Sequence, residues 1–263
     1  MSSLAKRRLD GQKALSGLFS DPKRVLLVYY ACENFANRPD GTSARIISIV
    51  VRHLDNALTH SFSAHLSAER LKIPYNDIQQ RYAEVEADLL TDFNNFVRKH
   101  QSHTWVHWNM RDSNYGFPAL YHRCQISGIA PEEIGSTNLF DLARCLVDIY
   151  GGKYIAHPRL ASLLKRNNIS DLGFLDGASE ADAFTKGDYV TIYISTLRKV
   201  DCFEGILRRA QSGKLSTNYR WRDTYARSPK DLVLFLKEHW GYSLVGILML
   251  AVAVIKLIYS WAT

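Results

Sequence analysis

The sequence offers little sulfur chemistry. Its four cysteines, Cys32, Cys124, Cys145 and Cys202, show neither C-x-x-C nor zinc-finger spacing, which excludes a finger-type metal site. Each lies in or beside an apolar segment, the setting of a reduced, buried thiol. An N-terminal signal peptide is also missing, because residues 1–20 are basic and polar, so the chain is expected to start in a reducing compartment. No internal repeat and no low-complexity tract is present, which excludes a solenoid or a disordered array. Acidic side chains are in deficit, 26 against 33 Lys and Arg, a formal charge of +7. That balance favours acidic partners, either nucleic acid or an anionic membrane face. At 263 residues there is room for one sizeable domain and an appendage.

The chain is organised around residues 25–51. Val25 to Tyr30 is a continuous apolar run, as in a central strand covered on both faces. Arg38-Pro39-Asp40-Gly41 is turn chemistry, and Arg45 to Val51 is a second β-branched run. Glu33 follows the first run. A carboxylate at the end of a buried strand needs compensation, for which a metal ion or access to solvent are the alternatives.

Further along, Leu58 to His65 reads as a third strand and Thr104 to Trp108 as a fourth. Apolar residues from Ile78 to Phe96 recur at three- and four-residue steps, which predicts a helix over 77–99. Helices are also expected over 114–125, 139–150, 157–167 and from Ser195 to a stop at Gly213. Tyr189 to Ile194 fits either a strand or the first turns of that last helix. Residues 242–262 (YSLVGILMLAVAVIKLIYSWA) have the length of about 20 residues that crosses a bilayer. Tyr242, Tyr259 and Trp261 suit its interfaces, and Lys256 lies near one end. Basic residues before it orient the rest toward the cytoplasm. The expected division is a basic N-terminal arm (1–22), an α/β domain (23–213), a basic and aromatic juxtamembrane linker (214–241) and a single C-terminal transmembrane helix (242–262). The expected localisation is therefore the membrane, by a tail anchor.

Three strands, a helix, a fourth strand and then helices is an order that resembles the ribonuclease H-like fold, and within it the DEDD-type 3′–5′ exonucleases. Tyr30-Ala31-Cys32-Glu33 falls where that family carries its Asp-x-Glu pair. His107-Trp108-Asn109-Met110-Arg111-Asp112 falls at its second motif, and Thr196 with Asp201 at its third. The resemblance covers about residues 25–212 and implies an α/β domain with a mixed sheet flanked by helices. It implies metal-dependent phosphodiester hydrolysis, with Glu33, Asp112 and Asp201 as ligands of Mg²⁺ or Mn²⁺, alongside His107 as a catalytic residue. Two-metal hydrolysis needs several hard oxygen ligands, and the sequence departs from the family here. Ala31 has no oxygen where the first Asp belongs, by natural degeneration or by replacement. Asp112 follows Asn109 by three residues instead of four. Thr196, Ser195 and Tyr193 are poor general bases.

Nucleic-acid contacts are expected from Asn109, Arg198, Lys199, Arg208 and Arg209, with Tyr219, Trp221 and Tyr225 interleaved with Arg220 and Arg222. The same basic stretch also suits anionic lipid. Each candidate has a plainer reading as well. His107 suits a core histidine, Asp112 a helix cap and Asp201 a surface ion pair. Two functions remain from this reading. One is a membrane-tethered nuclease impaired by Ala31. The other is a non-catalytic module binding nucleic acid or protein, with a homo-oligomer or protein partner unspecified.

Overall fold

The structure, a computed structural model, describes residues 4–34, 41–220 and 252. Five strands form one mixed sheet in the order β3-β2-β1-β4-β5. β1 (Val25–Cys32), β2 (Ile46–His53) and β3 (Thr59–Ser63) make an antiparallel meander. β4 (Thr104–His107) is parallel to β1, and β5 (Leu139–Asp141) is parallel to β4. β1 is central and every one of its residues is buried, which is why it reads as an unbroken apolar run rather than an alternating one.

Side chains alternate along β1 between two cores. Leu27 and Tyr29 face a layer built from α1 (Leu4–Leu18), α5 (Leu142–Tyr150), α6 (Arg159–Arg166) and α8 (Tyr189–Gln211). Leu26, Val28 and Tyr30 face α3 (Tyr82–Lys99) and α4 (Phe117–Ile126). A third core, at the end of β1, joins Ala31 to Tyr82 of α3, to Phe184 of α7 (Gly177–Thr185) and to Tyr189 and Ile192 of α8. A short helix, α2 (Ala64–Arg70), follows β3 directly, so the third expected strand is shorter than its apolar pattern.

Polar anchors set the layers. Glu86 of α3 is 1% exposed. Its Oε1 accepts from the Ile46 backbone N–H at 2.8 Å and from Arg123 Nε of α4 at 2.9 Å. One buried carboxylate thus ties two helices to the start of β2. Asp141 ends β5 and caps α5, its carboxylate accepting from Arg144 N–H at 3.2 Å. This splits the helix expected over 139–150. Asp188 likewise caps α8 through Thr191 N–H, so Tyr189 to Ile194 are helical turns.

Leu4–Leu18, within the expected arm, is a helix docked on α5. Gly11 permits the contact, since a Cβ there would lie 2.9 Å from Ile149 Cγ1. The mixed α/β class, a mixed sheet flanked by helices, is the one observed. The transmembrane part of the expected fold and the membrane localisation are corrected. No helix among the described residues is long and apolar enough to cross a membrane. The segment 242–262 in which the span was expected, and residues 221–241 of the linker, lie outside the described residues, apart from Val252.

Four histidines meet at the amino-terminal end of β1. The His53 ring lies 5.5 Å from His60, 5.6 Å from His100 and 6.3 Å from His103. Partial burial lowers the pKa of His53, His60 and His103, and the neighbouring imidazoles lower them further. Arg24 adds to the effect at His103, while Asp55 opposes it at His53 and Asp21 at His103. Folded pKa values below the unfolded value of about 6.5 mean that the unfolded chain binds more protons in acid. The stability from these groups is complete above that value and is lost as pH falls through it. Thermal unfolding should show a Tm that drops below about pH 6.5, with a shallower drop in His53→Gln. A drop of equal slope in both proteins would exclude the cluster as its source.

Candidate functional site: a buried ion pair beside a basic cleft

The carboxyl ends of β1 and β4, where open α/β sheets bind their ligands, hold the expected motifs. Ala31 is 1% exposed and packed in apolar core. Next to it on the same face of β1, Tyr29 meets a buried ion pair. Lys199 Nζ of α8 lies 2.6 Å from Glu180 Oε1 of α7, with side chains 3% and 2% exposed. Ser195 Oγ donates to the same oxygen at 3.2 Å. The ammonium also sits 5.3 Å from the Tyr29 ring centre and 4.9 Å from that of Phe174. Burial raises the Glu180 carboxyl pKa, and Lys199 opposes the rise.

The three expected metal ligands are not brought together. Glu33 Oε1 accepts from Arg45 N–H at 3.1 Å, across the end of the β1–β2 pair. Asp112 Oδ1 accepts from the N–H groups of Asn114 and Tyr115 at 2.8 and 3.0 Å, making it the cap of its own turn. Asp201 pairs with Arg52 at 2.5 Å and Arg198 at 3.5 Å. Arg52 stands opposite Leu27 in the sheet. Glu33 lies six residues further along, so Asp201 and Glu33 are separated by about 20 Å of strand. Among the described residues no group of three His, Cys, Asp or Glu side chains is placed to hold a metal ion. The residues present do not fit a pair of Mg²⁺ or Mn²⁺ ions, because such a pair needs several shared oxygen donors, Ala31 offers none, and the expected carboxylates are engaged at separate places. The expected base positions are engaged too. Thr196 donates to Ile192 O at 2.9 Å, and Tyr193 to Ser61 Oγ at 3.2 Å.

The expected phosphate-binding cluster is dispersed. Lys199 is in the buried pair. Arg198 donates to Ser170 O and Arg209 to Asn167 O. Arg208 reaches Glu204 at 2.7 Å and Leu54 O at 2.7 Å. Asn109 does reach the site, in the left-handed region at φ 55, which asparagine tolerates. Its N–H donates to Asp141 Oδ1 at 3.2 Å, and its Oδ1 accepts from Arg111 at 2.7 Å.

A cleft of about 520 Å³ opens here. Tyr29 and Trp108 form one wall, and Arg111, Arg144, His157 and Arg159 supply its polar groups. Arg111 is matched by Asp141 at 2.6 Å. Arg144 has no carboxylate partner among the described residues, and Arg159 donates only to Gly152 O at 3.2 Å. These arginines come from separate elements, so no short sequence motif marks them.

The loop carrying Asn109 and Arg111 is latched to β1. Tyr30 Oη accepts from Gly116 N–H at 2.7 Å, and Tyr115 Oη donates to Tyr30 O at 3.1 Å. The two tyrosine rings stack at 4.5 Å. A Cβ on Gly116 would lie 2.6 Å from Met110 C, so only glycine lets the loop close. His107 starts this loop inside the core, 2% exposed, with its ring edge-on to Phe117 at 5.4 Å.

No family model matches this chain, and no curated protein does. A solved structure to which it is similar is the family B DNA polymerase of the hyperthermophilic archaeon Pyrobaculum calidifontis, with 14% identity and a TM-score of 0.46. The match covers 73% of this chain and 26% of the polymerase chain, so the chain spans about a quarter of that protein.

Breaking the buried pair tests its structural weight. Lys199→Met leaves Glu180 buried and unpaired, which costs about 3–5 kcal/mol, whereas Lys199→Met with Glu180→Leu recovers most of it. Urea unfolding of the full chain reads both. A Lys199→Met midpoint equal to that of the parent would contradict the placement of the pair.

Proposed function

We propose that the chain is a ribonuclease H-like domain, related in layout to the DEDD exonucleases, that binds single-stranded nucleic acid without hydrolysing it. The sheet order and the arrival of the expected motifs at the carboxyl ends of β1 and β4 support the layout. The observation that carries the non-catalytic reading is the filled metal position: Ala31 in apolar core, with the Lys199–Glu180 pair beside it. The Glu180 carboxylate on that face is already matched by Lys199, so it is not available as a ligand for a metal ion. Charge neutralisation of phosphates and stacking on aromatic rings remain available in the cleft, from Arg144, Arg159, Trp108 and His157. Those two interactions suffice for sequence-tolerant binding of a single strand. The net charge of +7 adds long-range attraction.

Anisotropy of a labelled single-stranded oligonucleotide, titrated with the full chain, tests the reading. Binding should weaken steeply with salt, and Arg144→Glu with Arg159→Glu should weaken it by about tenfold or more while flattening the salt slope by about one unit per lost phosphate contact. The oligonucleotide should stay intact with Mn²⁺, in the parent and in Ala31→Asp. Metal-dependent cleavage by the parent, abolished by EDTA, would overturn the proposal in favour of a nuclease. Binding insensitive to both arginines would remove the cleft from it.

A further inference from the structure

We propose that a second, open cavity, lined by α1, α4, β5 and α5, binds a mononucleotide-like ligand: a planar heteroaromatic ring carrying an anionic group. The cavity holds about 750 Å³, inside the range of about 300–1,000 Å³ usual for small-molecule sites. Its walls are largely apolar and aromatic, with Phe117 and Tyr121 from α4, Leu139 and Phe140 from β5, and Ala14 from α1.

Its polar groups are His107 and a set of arginines and aspartates. His107 lines the cavity and is 2% exposed. Its Nδ1 accepts from Met110 N–H at 3.2 Å, so the ring proton is on Nε2. Among the described residues Nε2 has no hydrogen-bond partner. Burial, with Arg111 adding to it against Asp141, holds the pKa at about 4, so the imidazole is neutral at physiological pH. This N–H is not sealed in protein, since it is absent from the buried unpartnered atoms of the described residues, so a ring nitrogen or carbonyl of a heteroaromatic ligand in the cavity can accept from it.

The lining charges balance in number, Arg7, Arg111 and Arg144 against Asp10, Asp141 and Asp148, but not in pairing. Asp141 is matched by Arg111 at 2.6 Å, and Asp148 lies 3.9 Å from Arg7. Asp10 is exposed at the rim. Arg144 alone among the lining cations has no carboxylate partner in the described residues, and it borders both this cavity and the cleft. A ring among Phe117, Tyr121 and Phe140, accepting from His107, would carry its phosphate toward Arg144.

Isothermal titration of the full chain with AMP, GMP, CMP and UMP, and with the four nucleosides, tests this. At least one monophosphate should bind at a single site with Kd below about 1 mM, and its nucleoside about tenfold more weakly or worse. Ala14→Trp, on the exposed side of α1, should abolish that binding and leave oligonucleotide affinity intact, because Ala14 does not line the cleft. His107→Phe should weaken it and also lower the Tm, because the Met110 N–H loses its acceptor. No binding by any of the four monophosphates, or binding indifferent to Ala14→Trp, would overturn the inference. Arg159→Glu separates the two sites in the other direction, since it belongs to the cleft alone. Loss of oligonucleotide binding with monophosphate binding retained leaves this inference standing.

Discussion

The Lys199–Glu180 pair is the constraint around which the carboxyl end of the sheet is arranged. Two charges 2.6 Å apart with almost no exposure survive burial only when each is fully matched. Glu180 is matched by Lys199 and Ser195, and Lys199 by Glu180 and the faces of Tyr29 and Phe174. This draws α7 against α8 and both against β1. The neighbouring Ala31 has no charge to place in that environment. A carboxylate at residue 31 would face both a cation and a second buried acid, so the alanine and the ion pair form one consistent core.

The second constraint is the latch of the loop after β4. Tyr30 and Tyr115 fix the loop, Gly116 allows its closure, and Asp112 caps its turn. Asp141 then joins three things: the start of α5, the backbone at Asn109 and the guanidinium of Arg111. Two hollows result, one on each side of Arg111 and Arg144. The first is a basic, aromatic cleft at the strand ends. The second is an apolar cavity with a neutral imidazole in its wall.

Much of this was legible in the sequence, and the rest failed for definable reasons. The run from Val25 to Tyr30 marks the central strand because both of its faces are covered. The apolar steps from Ile78 to Phe96 mark α3, although the helix begins at Tyr82 because a 3₁₀ turn occupies Tyr75–Asp77. The motif positions at Ala31, Glu33 and His107 to Asp112 do fall at the carboxyl ends of β1 and β4. Lys199 is expected, with Arg198, to contact nucleic acid. Yet Ile192, Thr196, Lys199, Phe203 and Ile206 follow one another at steps of four and three, the inward stripe of a helix, and all are buried. That phase was the available signal. Its partner Glu180 is nonlocal and lies on a helix that no apolar periodicity announced. Asp201 falls off the inward stripe, which is why it pairs with Arg52 at the far end of the sheet rather than facing Glu33. Arg144 and Arg159 converge only through the fold.

We propose that, where the exonucleases this chain resembles would hold metal ions, protein side chains leave no metal site. Counting bound Mn²⁺ by electron paramagnetic resonance of the full chain, in Mn²⁺ of up to about 1 mM, tests it without reference to any substrate. The account predicts that the free-ion signal is not depleted, in the parent or in Glu33→Ala. Two equivalents of bound Mn²⁺ in the parent, lost in Glu33→Ala, would contradict it.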